Sequence, residues 1–197
     1  MINPSELSRF SKTIRLRDGT AVLIRAARAD DRERLVTAFQ GLDRQTIYTR
    51  YFSFRKSFSE TELDRLDEQD SGRYILLVAT LGSGPGETII GGASCVVGDA
   101  SAAALPSAEC AFTVEEDYQR QGLASQLLAA IVELACHSGI GRLEADVLAE
   151  NQAMLAVFKR SGLPMTLSRS AGVVHLVMQL PSPPPDASDR GHDRKPR

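Results

Sequence analysis

No apolar run in this chain is long, its charges nearly cancel, and cysteine and histidine are sparse. The longest continuous apolar stretches, such as Tyr74 to Ala79, fall far short of the roughly 20 residues a membrane helix needs. The N-terminus lacks the basic-then-apolar order of a secretory signal, so a soluble, cytoplasmic protein is expected. Lys and Arg number 23 against 25 Asp and Glu, a formal net charge of −2 that excludes bulk attraction to nucleic acid or an anionic membrane. Cys95, Cys110 and Cys136 are odd in number, sit in apolar surroundings and form no CxxC pair. That pattern argues against a disulfide framework or zinc motif and leaves them as small core residues. His137 falls at a helix end, His175 between strand valines and His192 near the C-terminus, and without spaced partners no metal is expected. Ser94, Ser125 and Ser161 lack the G-x-S-x-G setting of a hydrolase nucleophile.

What remains is an ordinary globular composition, 43% hydrophobic and 24% charged over 197 residues, enough for one domain with a single sizeable core. Pro181 to Arg197 holds five of the nine prolines and no leucine, isoleucine, valine or aromatic residue, so it reads as a disordered tail. Residues 1–12 show no sustained period and read as a loosely attached lead-in, which places the folded domain at 13–180.

Within that domain Ala21 to Arg25 reads as the first strand, after the turn pair Asp18-Gly19. Asp30 with Glu33, and Ser59 with Glu62, have the spacing of capping boxes at the starts of two helices. Tyr48 to Phe54 between them shows no helical period. Tyr74 to Leu81 and Thr88 to Val97 flank a Gly-Pro-rich turn as a hairpin, and Glu109 to Val114 reads as a fourth strand. From Leu123 the period becomes 3.6, with Ala124, Leu127, Leu128, Ile131 and Ala135 on one face. Leu143 to Leu148 is a further strand, and Asn151 caps a helix carrying Met154, Leu155 and Phe158. Thr166 to Arg169 and Val173 to Leu180 close the domain as a hairpin. The expected fold is mixed α/β, a mostly antiparallel six- to seven-stranded sheet flanked by about four helices.

The chemistry concentrates where the fourth strand meets the long helix, Val114-Glu-Glu-Asp-Tyr-Gln119-Arg120-Gln121-Gly122-Leu123-Ala124. A strand feeding a tight loop onto a helix N-terminus presents unpaired N–H groups and the positive end of the dipole, a cradle for an anion such as a pyrophosphate. Gly122 and Ala124 keep side-chain bulk away from that anion, and Arg120 adds a charge-assisted contact. Glu115, Glu116 and Asp117 place three adjacent negative charges ahead of the loop, a solvated turn or an attractor for a cationic amine. Along the strand Cys110, Phe112 and Val114 share one face and Glu109, Ala111 and Thr113 the other.

The pattern Gln119-x-x-Gly122-x-Ala124, between a strand and a long amphipathic helix, resembles the acyl-coenzyme A pyrophosphate loop of the GNAT superfamily of N-acetyltransferases. The element order from about Ala21 to Leu180 is similar to that fold. Leu42 to Phe54, with Arg50-Tyr51-Phe52, resembles the start of the acetyltransferase domain of bacterial protein lysine acetyltransferases. The resemblance implies acetyl-coenzyme A as co-substrate and a cleft between the fourth and fifth strands. It further implies that Phe112, Val114, Gln119, Arg120, Gln121, Gly122, Leu123, Ala124, Ser125, Asn151 and Phe158 bind the cofactor. Glu109 falls where some members keep a strand glutamate as general base. A primary ammonium has a pKa of about 10.4 and attacks a thioester only after losing a proton, so a carboxylate there has a task, and partial burial would raise its pKa usefully. The family tyrosine that protonates the leaving thiolate is Phe158 here, which donates no proton; Tyr118, water or no acid at all takes its place. The reaction implied is acetyl transfer to a primary amine, a protein lysine first and a small amine second, with a non-catalytic acyl-coenzyme A sensor as the alternative.

Overall fold

The computed structural model describes residues 4–67, 72–98 and 106–181. A short helix α1 (Pro4–Arg9) precedes strands β1 (Ser11–Arg15) and β2 (Ala21–Ala26). Three helices follow, α2 (Arg32–Gly41), α3 (Arg44–Tyr51) and α4 (Glu60–Asp64), and then the hairpin β3 (Tyr74–Leu81) and β4 (Thr88–Val97). The second half runs β5 (Ser107–Val114), α5 (Leu123–His137), β6 (Arg142–Leu148), α6 (Gln152–Arg160), β7 (Met165–Ser170) and β8 (Val173–Gln179). The strands form one eight-stranded sheet in the order β1-β2-β3-β4-β5-β6-β8-β7. Every neighbouring pair is antiparallel except β5 with β6.

Apolar periodicity accounts for the layers. The α5 stripe Leu123, Leu127, Leu128, Ile131 and Ala135 is buried and packs with Ile24, Leu77, Leu143, Leu176 and Met178 of the sheet in the main core. Leu155 and Phe158 of α6 join it, and Asn151 caps that helix by accepting the Met154 N–H at 3.1 Å. On the other face a smaller cluster of Ala27, Leu66, Val78 and Ile89 lies beneath Leu35 and Ala38 of α2. Cys95 and Cys110 are buried cross-strand partners, and burial pushes the Cys95 thiol up to about 12 and Cys110 well above its ordinary value. Among the described residues no helix is long and apolar enough to cross a membrane.

Four expectations need correction. The sheet has eight strands rather than six or seven, because β1 pairs with β2 as an edge strand in which only Ile14 is buried. The stretch around Tyr48 is helical, and α1 brings the helices to six. Residues 1–12 are not merely a lead-in, since Leu7 of α1 sits in the main core and β1 begins at Ser11. The capping box expected of Asp30 with Glu33 does not form at α2: the helix starts at Arg32 after Asp31, which makes no side-chain cap bond to it, and the Asp31 carboxylate accepts the Arg28 N–H of the preceding turn at 2.8 Å. At α4 the expected box forms, with Ser59 Oγ accepting the Glu62 N–H and Glu62 Oε2 accepting the Ser59 N–H at 2.9 Å. The tail 182–197 lies outside the described residues.

Candidate active site

β5 and β6 pair only where Ser107, Ala108 and Glu109 face Arg142, Leu143 and Glu144. Beyond Glu109, β5 stays with β4 through Val114 while β6 stays with β8, and a cleft of about 910 Å³ opens between the end of β5 with its following loop and the start of α6. Its walls carry Phe112, Val114, Gln119, Arg120, Gly122, Leu123, Ala124, Ser125 and Asn151, nine of the residues implied as cofactor contacts. Arg120 (φ +58°) and Gly122 (φ +96°) both take left-handed backbone, and Gly122 is the residue on which α5 begins. At this helix start the Ser125 N–H already donates to the Gly122 carbonyl at 3.1 Å, and Leu123 and Ala124, whose N–H groups precede the first intrahelical bond, line the cleft.

Long-range tethers fix the loop. The Arg17 N–H donates to the Gln121 carbonyl at 3.2 Å, and Arg17 Nη1 donates to the Arg120 carbonyl at 3.1 Å. Gln119 Nε2 donates both to the Val114 carbonyl at 3.0 Å and to Thr46 Oγ1 at 3.2 Å, joining the loop to α3. The Asp43 N–H at the start of α3 donates to Glu116 Oε1 at 3.0 Å. Arg17 and Arg160 also line the cleft, so with Arg120 three guanidinium groups belong to its wall. Sequence periodicity gave no sign of Arg17, which sits in the β1–β2 turn, or of Arg160 in the last turn of α6.

Three residues do not lie where they were expected. Gln121 is off the cleft wall, its carbonyl held by Arg17. Phe158 is buried behind Phe112 in an edge-on contact, with ring centroids 5.8 Å apart, and does not reach the wall. Glu109 is exposed, not partly buried, and lines none of the cavities described below.

A second, mainly apolar cavity of about 150 Å³ lies under α2, α3 and α4, and α3 also contributes Thr46 and Thr49 to the first cleft. Phe39, Tyr51, Phe58, Leu66, Val78 and Ile89 supply apolar wall, and Arg50, Glu62, Arg65 and Glu115 supply charge. Ala111 and Thr113, which follow Glu109 on the same strand face, also line it, and Thr113 touches the cofactor-side cleft as well. Burial works to raise the Glu62 carboxyl, but the Arg55 guanidinium and the Ser59 N–H outweigh it and hold the group at about 2. Arg50 donates to Ser94 Oγ at 3.3 Å and lies over the Tyr51 ring. Burial raises the Glu115 carboxyl, and the charges of Asp117 and Glu116 raise it further. Glu115 also walls a groove of about 610 Å³ that contains Asp30, Glu33, Glu87 and Asp117.

A splayed strand pair over a helix N-terminus, with a second cavity that shares the lining residue Thr113, is an architecture in which two ligands can be held side by side. Residues 43–163 match the model of the acetyltransferase (GNAT) family. The chain belongs to that family, whose co-substrate is acetyl-coenzyme A. It is 32% identical over 169 residues to acetyltransferase Pat of Mycolicibacterium smegmatis, a match covering 85% of this chain and 48% of that protein. The chain thus spans about half the length of that relative. The GNAT domain of S. lividans PAT superposes with a TM-score of 0.76 at 32% identity, over 86% of this chain and 97% of that domain. The acetyltransferase yncA of Salmonella typhimurium, solved with acetyl-coenzyme A, shares the fold with a TM-score of 0.65 at 18% identity, over 83% and 98% of the two chains.

Proposed function

We propose that this domain transfers the acetyl group of acetyl-coenzyme A to a primary amine, with a protein lysine as the first choice of substrate and a small amine as the second. The observation that supports the reading is a cleft suited to a long anionic cofactor beside an apolar cavity suited to an amine on an apolar stem, with Thr113 lining both. The phosphates lie on the N–H groups of Gly122 to Ala124 beside Arg17, Arg120 and Arg160, and the pantetheine arm runs along Val114 toward Phe112. The resemblance to bacterial protein lysine acetyltransferases supports lysine. Glu109, which is exposed and lines neither cavity, takes the ammonium proton through water. The neutral nitrogen then forms the N–C bond, the C–S bond breaks, the thiolate leaves, and the second proton shed by the nitrogen goes to water or to the departing thiolate. A coenzyme A thiol resembles cysteine, with a pKa of about 8.5, so its thiolate is a tolerable leaving group without a tyrosine. Positioning of amine against thioester supplies most of the acceleration.

Thiol release from acetyl-coenzyme A, measured across lysine peptides and small amines, tests this reading. Release that depends on an amine is expected, and Glu109→Gln is expected to slow it by about 10²-fold at neutral pH, with partial recovery at higher pH where more amine is already neutral. A wild-type rate and pH profile in the variant would remove Glu109 from the mechanism. Cofactor binding without thiol release on any amine would favour the sensor.

A further inference from the structure

Buried polar atoms are almost always hydrogen-bonded, so the exceptions ask for an explanation. Among the described residues two fully buried side-chain polar atoms have no partner, Arg65 Nε and Glu115 Oε2, and both residues line the apolar cavity under α2, α3 and α4. One is a donor with nothing to donate to, and the other an acceptor with nothing to accept. The other charges of the cavity are engaged: Glu62 with Arg55 at 2.9 Å, and Arg50 with Ser94 and the Tyr51 ring. The Arg65 guanidinium lies over the Tyr74 ring, 5.4 Å from its centroid, and that contact leaves Nε–H unused. A cavity of about 150 Å³ with apolar walls is of the order that takes up a small apolar ligand. A ligand filling it with both orphan atoms satisfied carries a donor for Glu115 and an acceptor for Arg65 on an apolar body, and a cationic donor suits the carboxylate best.

We propose that this cavity is the site of the substrate amine and that it selects a primary ammonium joined by an unbranched aliphatic stem to a carbonyl-type oxygen, the ammonium on Glu115 and the oxygen on Arg65. The inference rests on reading the protein as an amine acetyltransferase and deepens it. A lysine residue, with its peptide carbonyl, and a free ω-amino acid, with its carboxylate, share this chemistry; a simple alkylamine lacks the oxygen. The groove beyond Glu115, with Asp30, Glu33, Glu87 and Asp117 on its walls, favours a cation approaching from that side. Of these, Glu87 is paired with Arg25, and Arg34, which lines the same groove, lies near Asp30, so Glu33 and Asp117 are the further carboxylates there. Glu115 is then a binding residue, distinct from the strand glutamate Glu109.

Calorimetric titration of the protein saturated with coenzyme A, which has no acetyl group to transfer, tests the proposal apart from turnover. The probes are Nα-acetyl-lysine methylamide, 6-aminohexanoate and pentylamine. The wild type is expected to bind at least one of the first two about tenfold more tightly than pentylamine, since a hydrogen bond to a charged group is the difference. The one that binds identifies the source, a peptide carbonyl or a free carboxylate. Glu115→Gln is expected to weaken all binding about tenfold, and Glu115→Asp to restore part of it. Arg65→Met is expected to bring the oxygen-bearing probes down to the affinity of pentylamine and leave pentylamine unchanged. Glu115→Gln is also expected to raise Tm at neutral pH, because it removes a carboxylate whose charged form burial disfavours. A merely structural Glu115 would lower Tm when replaced. Unchanged affinities in Glu115→Gln or Arg65→Met overturn the proposal, as does a wild type that binds none of the probes. Thiol release failing on every amine would instead sink the transferase reading, and the binding results stand apart from it.

Discussion

Gly122 carries more of the cofactor site than its size suggests. Its φ of +96° lies where side chains are strained, and a Cβ built there meets nothing within 4 Å, so a larger residue would project into open cleft rather than into protein. Gly122→Val therefore costs stability through the backbone, about 1–3 kcal/mol, and blocks the anion's approach to the first-turn N–H groups of α5. Thermal shift separates the two effects: a lower Tm without ligand, and loss of the additional rise with acetyl-coenzyme A. A variant that kept the full ligand-induced rise would displace the phosphates from this loop. Phe158 presents the opposite case, a family position whose polar handle is gone. Its ring sits edge-on to Phe112 in the core, so the hydroxyl of Phe158→Tyr enters an apolar site and costs about 1–3 kcal/mol if unpaired. Because the thiolate leaves without full protonation, the transfer rate in that variant is expected to change by about tenfold at most. An inert native protein that gained robust turnover from the substitution would make the tyrosine essential after all.

At the scale of elements, legibility follows how an element is stabilised. α5 and α6 were readable because each buries one stripe against the sheet and begins at a recognisable residue, Gly122 or Asn151. α3 was not, because of its eight residues only Thr46 and Ile47 are buried. It is held instead by Gln119 on Thr46, by Glu116 on the Asp43 N–H and by the stacking of Tyr48 on Phe54, none of which leaves a periodic trace. β1 escaped notice for a related reason, since an edge strand with one buried residue has no alternation to show. The cofactor side of the site was legible because strand, loop and helix N-terminus are contiguous in sequence, and the loop's job is done by backbone. The amine side was not, because its cavity gathers α2, α3, α4, β3, β4 and the end of β5, and Glu115 looked like one member of a solvated acidic run. What sets Glu115 apart is burial of one oxygen, which only the packed structure reveals.

The whole molecule depends on a buried charge network that fixes how α2 sits on the sheet. Arg25 of β2 uses all five of its N–H donors: Nη1 and Nη2 reach Asp31 at 2.6 and 2.8 Å, Nε and Nη2 reach Glu87 at 3.0 Å, and Nη1 reaches the Ala26 carbonyl at 3.0 Å. Asp31 stands just before α2 and Glu87 just before β4, so one guanidinium ties the helix to both strands. Burial alone would raise the Asp31 carboxyl, but the Arg25 bonds and the Arg28 N–H outweigh it and hold the group below the usual carboxylate range. Removing one partner of such a pair leaves a buried charge uncompensated, so Asp31→Asn is expected to cost about 3–5 kcal/mol at neutral pH, roughly 10 °C in Tm. The sign with pH follows from the depressed folded value. The carboxylate's contribution is complete above the unfolded pKa of about 3.9 and is lost as pH falls through the lower folded value, so the stability gap between native and variant closes in strong acid. Denaturant melts of both proteins at pH 7 and at successively lower pH measure this, and a gap independent of pH would mean that the carboxylate's charge is not what stabilises the fold. The effect is also directional in function. Leu35, Ala38 and Phe39 of α2 wall the amine cavity, whereas the cofactor cleft takes no residue from that helix. In Asp31→Asn protein still folded at low temperature, the KM for amine should therefore rise while the acetyl-coenzyme A-induced rise in Tm persists, because α2, which leans on Arg25 through Asp31, walls the cavity proposed for the amine and not the cofactor cleft.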